Sequence, residues 1–188
     1  MNNNQPRLPA GQRLTEDWPI LHYGGIPTIS TDEWSFKIGG LVDNPIELDW
    51  NDFMNLPQLK VTSDIHCVTT WSKYDNEWEG VSMKLLIDMC KPKETAKHVM
   101  FHSYGGYTTN VPIEDLLFDD VLIAHSHNGS PLDPKHGAPA RGVVPHLYFW
   151  KSAKWVNGME FITEEEPGFW ENYGYHIYGD PWKEQRYS

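Results

Sequence analysis

The stretch VTSDIHCVTTWS, residues 61–72, decides the fold prediction and contains the side chain with the most chemistry. Apolar and polar residues alternate from Val61 to Cys67, which is the period of a strand. Such a strand would deliver Cys67 to its carboxyl end, just before a polar, aromatic loop. A thiol held there could be a soft-metal ligand or a nucleophile, because the thiolate is the reactive form. A small buried core side chain is the simpler alternative.

The rest of the pattern predicts many short strands and a few short helices. Helices are expected after Asp49 and Ser82, because these side chains can accept hydrogen bonds from free N–H groups of the first turn. Cys90 falls on the apolar face of the second helix, so we interpret it as core packing. Asn128-Gly129 is typical of a type I′ hairpin turn. Further strands are expected near residues 34–38, 99–101, 121–127, 143–144 and 155–163. The sequence therefore predicts an α+β domain, mainly β with short helices.

Size and charge limit the possible partners. The chain has 188 residues, which fits one domain at 20–188 preceded by an irregular arm at 1–19. It carries 26 acidic and 15 basic side chains, a formal net charge of −11, so its field repels nucleic acid and anionic membranes. No segment has the length of a membrane span or the pattern of an export signal, which predicts a cytoplasmic protein without membrane insertion.

A local basic cluster stands out against this negative charge. The loop HGAPARGVVP covers residues 136–145, and WKSAKW follows at 150–155. Arg141 could bind a phosphate bidentately, and Ser152 and Lys154 could complete an anion cradle together with backbone N–H groups. A solvated basic rim, or ion pairs with the many acids, is the alternative.

Four motifs in register resemble the molybdopterin-binding domain of the sulfite oxidase family. They are HCVTTWS at 66–72, IAHSHNGSPL at 123–132, HGAPARGVVP at 136–145 and KSAKW at 151–155. The resemblance runs from about His22 to the end of the chain. It is greatest to the small stand-alone prokaryotic sulfite-oxidase-like oxidoreductases. It implies the sulfite-oxidase-type fold and one mononuclear molybdenum–molybdopterin cofactor without an attached nucleotide.

The resemblance also implies roles for particular residues. Cys67 would bind molybdenum directly, which agrees with the preference of soft metals for thiolates. A second set of residues would contact the pterin or its phosphate. This set is His22, His102 (or its neighbour Ser103), His136, Arg141, Ser152, Ala153 and Lys154.

Two departures from the family pattern bear on the reaction. Sulfite oxidases place an Arg shortly after the metal-binding Cys, whereas this chain continues with Thr70, Trp71 and Ser72. This argues against sulfite as the substrate and resembles the relatives that include the bacterial methionine-sulfoxide reductase. His125 replaces the active-site Tyr of the hairpin, and its imidazole could donate a proton near neutral pH.

The expected activity is oxygen-atom transfer to or from a small molecule such as a sulfoxide. The chain has no haem or iron–sulfur motif, so a separate redox protein must exchange the electrons. The aromatic tail at 170–182 is expected to seal the domain and could also shape the substrate funnel. Two other functions stay open: a zinc or iron hydrolase or oxygenase built from the nine His residues, and a non-catalytic cofactor-binding module.

Overall fold

The computed structural model describes residues 6–188 and contains eleven strands and three short α-helices within them. The strands are β1 (Arg13–Leu14), β2 (Ser35–Gly40), β3 (Ile46–Asp49), β4 (Gln58–His66), β5 (Trp71–Ser82), β6 (His98–Ser103), β7 (Thr108–Pro112), β8 (Leu122–His127), β9 (Ser130–Pro131), β10 (Arg141–Val143) and β11 (Val156–Ile162). The helices are α1 (Trp50–Asn55), α2 (Met83–Cys90) and α3 (Ile113–Leu116). Short 3₁₀ turns lie at Pro134–His136, Phe149–Lys151, Glu171–Tyr173 and Pro181–Lys183. The predicted α+β class is confirmed.

The strands form two sheets that share a core. One sheet has the order β1-β5-β8-β10, with β4 on β5 and β9 on β8, and the other has the order β3-β2-β11-β6-β7. Phe36 and Phe161 of the second sheet belong to the same buried cluster as Val81 and Ile123 of the first. Apolar residues of β2 alternate with exposed ones, whereas β8 is buried on both faces, with Leu122 and Ala124 in a second cluster. Packing the facing apolar sides of the two sheets together excludes water from both.

Several local predictions are confirmed. The Asp49 carboxylate accepts a hydrogen bond from the Asp52 N–H at 2.8 Å and caps α1. Ser82 immediately precedes α2, although its hydroxyl makes no capping hydrogen bond. Cys90 is fully buried on that helix, as its spacing predicted. Asn128 and Gly129 both have positive φ, 49° and 76°, as a type I′ turn requires.

The structure differs from the sequence prediction after Cys67 and in the N-terminal arm. A polar loop was expected after this residue, but the chain turns within four residues and Trp71 begins β5, the longest strand. β5 pairs with β4 on one side and with β1 and β8 on the other, so its many polar residues are held by long-range hydrogen bonds. The predicted arm at 1–19 contributes β1, and its first five residues lie outside the described part of the chain.

Gly80 allows β5 and β8 to approach closely at an irregularity in their pairing. A Cβ at this position would lie 2.6 Å from the Ala124 Cα and would also collide with the Ile123 carbonyl oxygen. We expect Gly80→Ala to lower the free energy of unfolding by about 2–3 kcal/mol, as for an overpacked core. Urea denaturation measures this change.

Gly39 provides the matched control for that substitution. It also lies in a strand, but a Cβ there meets nothing within 4 Å. Gly39→Ala should change the free energy of unfolding by less than about 0.5 kcal/mol. Equal losses in the two variants would contradict the close approach at Gly80.

Candidate functional site

A cavity of about 480 Å³ opens beside the carboxyl end of β4. Its walls come from the turn after β4, the residue 18–25 segment, the turn between β6 and β7, and the chain that follows β10. The aromatic tail closes one side. The lining residues that matter for its chemistry are Cys67, Thr69, Trp71, Arg141, Ser152, Ala153, Lys154, His22, Trp18, Trp150, Trp170 and Tyr175.

Cys67 lies in a hydrogen-bonded turn at the cavity wall. Its N–H donates to the Trp71 carbonyl at 2.8 Å, and its own carbonyl accepts from the Thr70 N–H at 3.0 Å. Its Sγ lies 3.1 Å from the Thr69 hydroxyl and is mostly buried. Burial raises the pKa of the Cys67 thiol, and the Thr69 hydroxyl and nearby cations oppose that rise. The sulfur is therefore rigidly placed, facing a space that can hold a ligand.

Arg141 is the most unusual charged group in the cavity wall. Its side chain is fully buried and donates to the carbonyls of His136 and Ser152, each at 2.8 Å. The guanidinium also lies 4.2 Å from the centre of the Phe149 ring. Burial lowers the pKa of Arg141 to about 9, and no described carboxylate pairs with it. A buried cation without an anionic partner is costly, so an anion bound beside Arg141 in the cavity would be stabilised.

Lys154 adds a second cation to the same wall. Its Nζ donates to the carbonyls of Leu21 and Lys135, each at 2.7 Å. Burial and repulsion from Arg141 lower the pKa of Lys154 to about 7. Among the described residues that line the cavity there is no Asp or Glu to neutralise either cation. The wall is therefore suited to an anion such as a phosphate.

Local backbone geometry brings the two cations together. The Gly142 N–H donates to the Ala153 carbonyl at 2.8 Å, which places β10 beside residues 152–154. Gly137, with φ of 113°, passes so close that a Cβ would lie 3.1 Å from the Cβ atoms of both Arg141 and Lys154. The Ser152 hydroxyl accepts from the Val144 N–H at 2.9 Å, so its own hydrogen is free to donate.

The structure brings six of the nine predicted site residues to the cavity wall and leaves three away from it. Cys67, His22, Arg141, Ser152, Ala153 and Lys154 all line the cavity. His136 lies behind the lining, with its ring stacked on Trp18 at a centroid distance of 3.7 Å. Burial lowers the pKa of His136 to about 4, so the ring is neutral, and its buried Nδ1 has no hydrogen-bond partner.

His125 and His102 do not line this cavity. The His125 ring packs against Trp50 and Phe53, and its Nε2 lies 3.2 Å from the Gln58 side chain. This places it on the face of β8 that α1 covers. His102 lies on β6 of the other sheet, with its Nε2 3.3 Å from the Glu160 carboxylate.

Aromatic residues complete the cavity: Trp18, which the sequence did not assign, and residues of the tail that the sequence offered for a substrate funnel. Trp18 faces the cationic wall, and Trp170 stacks on Tyr175 at 5.1 Å. The tail is fixed by a buried ion pair in which the Glu171 carboxylate accepts from Lys151 at 2.5 Å and from the Trp150 indole at 3.1 Å. The high aromatic content was the available signal, but spacing alone could not show which rings reach the cavity.

Cys67 is the one thiol among the described residues that line the cavity. Within residues 6–188, no group of three or more His, Cys, Asp or Glu side chains is arranged to hold a metal ion. A group that brings most of its own metal ligands and an anionic tail would use the single thiol of Cys67 and the basic wall. The donor set and the cavity therefore fit a molybdenum–pterin cofactor.

Comparison with known proteins identifies the class. Residues 23–170 match the family described as "Oxidoreductase molybdopterin binding domain", and the chain belongs to this family of molybdenum-cofactor oxidoreductases. The sulfite oxidase resemblance is thereby confirmed.

Individual relatives agree with that assignment. The chain is 46% identical to the "Uncharacterized oxidoreductase YuiH" of Bacillus subtilis (strain 168), over 97% of this chain and 92% of that protein. It is 30% identical to the "Protein-methionine-sulfoxide reductase catalytic subunit MsrP" of Campylobacter jejuni, over 80% of this chain and 56% of that protein. It is 28% identical to the "Sulfite oxidase" of Arabidopsis thaliana, over 84% of this chain and 49% of that protein.

A solved structure supports the fold. The sulfane dehydrogenase SoxCD from Paracoccus pantotrophus superposes with a TM-score of 0.70 at 23% identity, over 76% of this chain and 41% of that chain.

The chain covers nearly the whole of YuiH but only about half of the MsrP and sulfite oxidase chains. In the described residues, no helix is long and apolar enough to cross a membrane.

Lys154 gives the cofactor-free protein a specific pH dependence. Its pKa is about 7 in the folded chain and 10.5 in the unfolded chain, so the unfolded chain holds more protons between these values. Stability should then rise with pH across this window and level off below pH 7. Urea denaturation of wild type and Lys154→Met from pH 6 to 10 tests this. The difference between them should grow with pH in favour of wild type, and parallel curves would contradict the shift.

Proposed function

We propose that the protein transfers an oxygen atom to or from a small neutral molecule, with Cys67 binding the molybdenum of a pterin cofactor. The observation that carries the proposal is the cavity itself, whose lining brings together one fixed thiol, the buried Arg141 and the half-buried Lys154, with no described carboxylate beside them. When bound, the cofactor supplies two-electron redox chemistry at the metal.

The cationic wall is proposed to hold the phosphate of the pterin. Arg141 and Lys154 supply the charge, the Ser152 hydroxyl supplies a hydrogen bond, and Ala153 supplies backbone contact. The Arg141 and Lys154 side chains already donate to carbonyls, so they are pre-organised before the anion enters. A cationic wall that binds a single phosphate group suits a pterin without an attached nucleotide. His22 also lines the cavity, next to Leu21, whose carbonyl accepts from Lys154, and is proposed to contact the pterin.

The surroundings of Cys67 favour a neutral substrate over an oxyanion. The turn after Cys67 provides Thr69 and Trp71, and the aromatic tail provides Trp170 and Tyr175. Among the described lining residues, the Arg and Lys side chains are Arg141 and Lys154, and both are assigned to the phosphate. A sulfoxide or similar oxo-compound fits such walls, and similarity to the C. jejuni MsrP protein at 30% identity supports this class.

Proton supply is proposed to come from a residue other than His125, which lies outside the cavity. Tyr175 lines the cavity, and burial raises the pKa of its phenol, with the nearby Cys67 adding to the rise. The phenol therefore keeps its proton at neutral pH and can donate a hydrogen bond to an oxygen atom of the substrate. The hydroxyl of Tyr107, in contrast, is already engaged with the Trp150 carbonyl at 2.6 Å.

Electrons are proposed to pass to or from a separate redox protein. A basic surface on that partner would assist the encounter, because this chain carries a formal net charge of −11. The cytoplasmic location stays a prediction of the sequence. A His-based zinc or iron enzyme has no supporting observation among the described residues.

The ligand role of Cys67 is tested by Cys67→Ser. The serine hydroxyl is a poor ligand for a soft metal, so molybdenum per protein should fall at least tenfold, while pterin binding is reduced less because the phosphate wall is intact. Elemental analysis and pterin fluorescence on purified protein measure both. Cys90→Ser is the matched control, since Cys90 is buried in the core on α2, and it should retain molybdenum. Equal molybdenum in wild type and Cys67→Ser would refute the proposal.

A further inference from the structure

Both ends of the chain meet at the turn that carries Cys67. The Gln12 side-chain amide donates to the Cys67 carbonyl at 3.1 Å. The Arg186 guanidinium donates to the carbonyl of the next residue, Val68, at 2.7 Å. Each contact joins residues that are far apart in sequence, one near the start of the chain and one near its end.

Backbone groups of the first segment extend this contact. The Arg13 N–H donates to the Thr70 carbonyl and the Thr15 N–H donates to the Ser72 carbonyl, both at 2.9 Å. We call Gln12, Arg13, Thr15 and Arg186 the terminal clasp. Four carbonyls between residues 67 and 72 therefore accept hydrogen bonds from donors outside the turn.

The Gln12 amide is itself oriented by neighbours. Its Oε1 accepts from the Ser72 hydroxyl at 3.3 Å, and that hydroxyl lies 2.8 Å from Nδ1 of the buried His66. These contacts fix which end of the amide faces Cys67, so the NH₂ group points at the carbonyl. A side chain ordered in this way restrains the turn more than a freely rotating one.

The two ends are also tied to each other and to the core. The Trp182 indole donates to the Pro6 carbonyl at 2.8 Å. The Arg186 guanidinium lies 5.0 Å from the centre of the buried Tyr148 ring. Arg186 is thereby held close enough for its charge to act on the Cys67 sulfur.

The clasp lies outside the part of the chain that defines the family. The family match covers residues 23–170, whereas the clasp residues lie before and after it. No residue of the clasp carries a role in the proposed reaction.

We propose that Gln12 and Arg186 are positioning residues that hold the Cys67 turn for metal binding, with Arg186 also raising the redox potential of the bound metal. The proposal rests on the assignment of Cys67 as the metal ligand. Directed hydrogen bonds to the Cys67 and Val68 carbonyls fix the direction of the sulfur. A fixed positive charge near the sulfur stabilises the more negative, reduced state of the centre, which makes the potential more positive.

The test uses the holoenzyme and three substitutions. Arg186→Met removes the donor and the charge, Gln12→Met removes only a donor, and Arg186→Lys keeps the charge but not the planar pair of donors. Lys183→Met is the control, because it removes one charge from the same terminal segment at an exposed position paired only with Asp180. Cofactor release is followed by pterin fluorescence, and the molybdenum midpoint potential by a redox titration monitored by electron paramagnetic resonance.

Release should accelerate about tenfold in Arg186→Met and several-fold in Gln12→Met, as expected for lost hydrogen bonds at a buried site. The potential should fall in Arg186→Met, stay near the wild-type value in Gln12→Met, and recover in Arg186→Lys. Lys183→Met should match wild type in both. In cofactor-free protein, hydrogen exchange of peptides covering residues 66–72 should be faster in Arg186→Met than in Lys183→Met.

Release rates of Arg186→Met and Gln12→Met equal to that of Lys183→Met, with an unchanged potential in Arg186→Met, would overturn the clasp. The proposed function would still stand if Cys67→Ser lost its molybdenum. Molybdenum retained by Cys67→Ser would overturn the proposed function itself. If Arg186→Met does not fold, Gln12→Met decides the question of turn positioning through the release rate. Arg186→Gln, which removes the charge but keeps a side-chain donor, then decides the question of the potential, which should fall below that of Lys183→Met.

Discussion

The buried guanidinium of Arg141 is the constraint on which the site depends. It is fully removed from water, it bonds to backbone carbonyls, and no described carboxylate neutralises it. Leaving such a charge uncompensated costs several kcal/mol, so an anion bound beside it in the cavity would stabilise the fold. Lys154 is the second cation of the same wall, and burial together with repulsion from Arg141 lowers its pKa.

The rest of the fold brings the Cys67 thiol and the cationic wall to the same cavity. β4 ends at His66, and a four-residue turn reverses the chain into β5 with Cys67 facing the cavity. β10 and the segment after it supply the cationic wall, while the ion pair of Glu171 and Lys151 holds the aromatic tail in place. The thiol and the cationic wall therefore come from the first sheet and its connections, the remaining walls come from other segments, and Gln12 and Arg186 bind the turn that carries Cys67.

Much of this could be predicted from the sequence because it is local. Alternation placed Cys67 at a strand end, and the clustering of Arg141, Ser152 and Lys154 stood out against a net charge of −11. The location of His125 could not be predicted, because it lies where the β5–β8 register shifts and its ring turns toward α1. Trp18 and Gln12 were missed because their contacts join residues more than fifty positions apart, which no local period records.

The central claim is that one cavity holds a molybdenum atom at the Cys67 sulfur and a phosphate at the Arg141 wall. An anomalous difference map from crystals of the molybdenum-loaded protein, collected at the molybdenum edge, tests this most directly. The account predicts one strong peak bonded to the Cys67 Sγ, with phosphate density in contact with Arg141 and Lys154. A peak elsewhere in the molecule, or a pterin whose phosphate lies away from these cations, would contradict it.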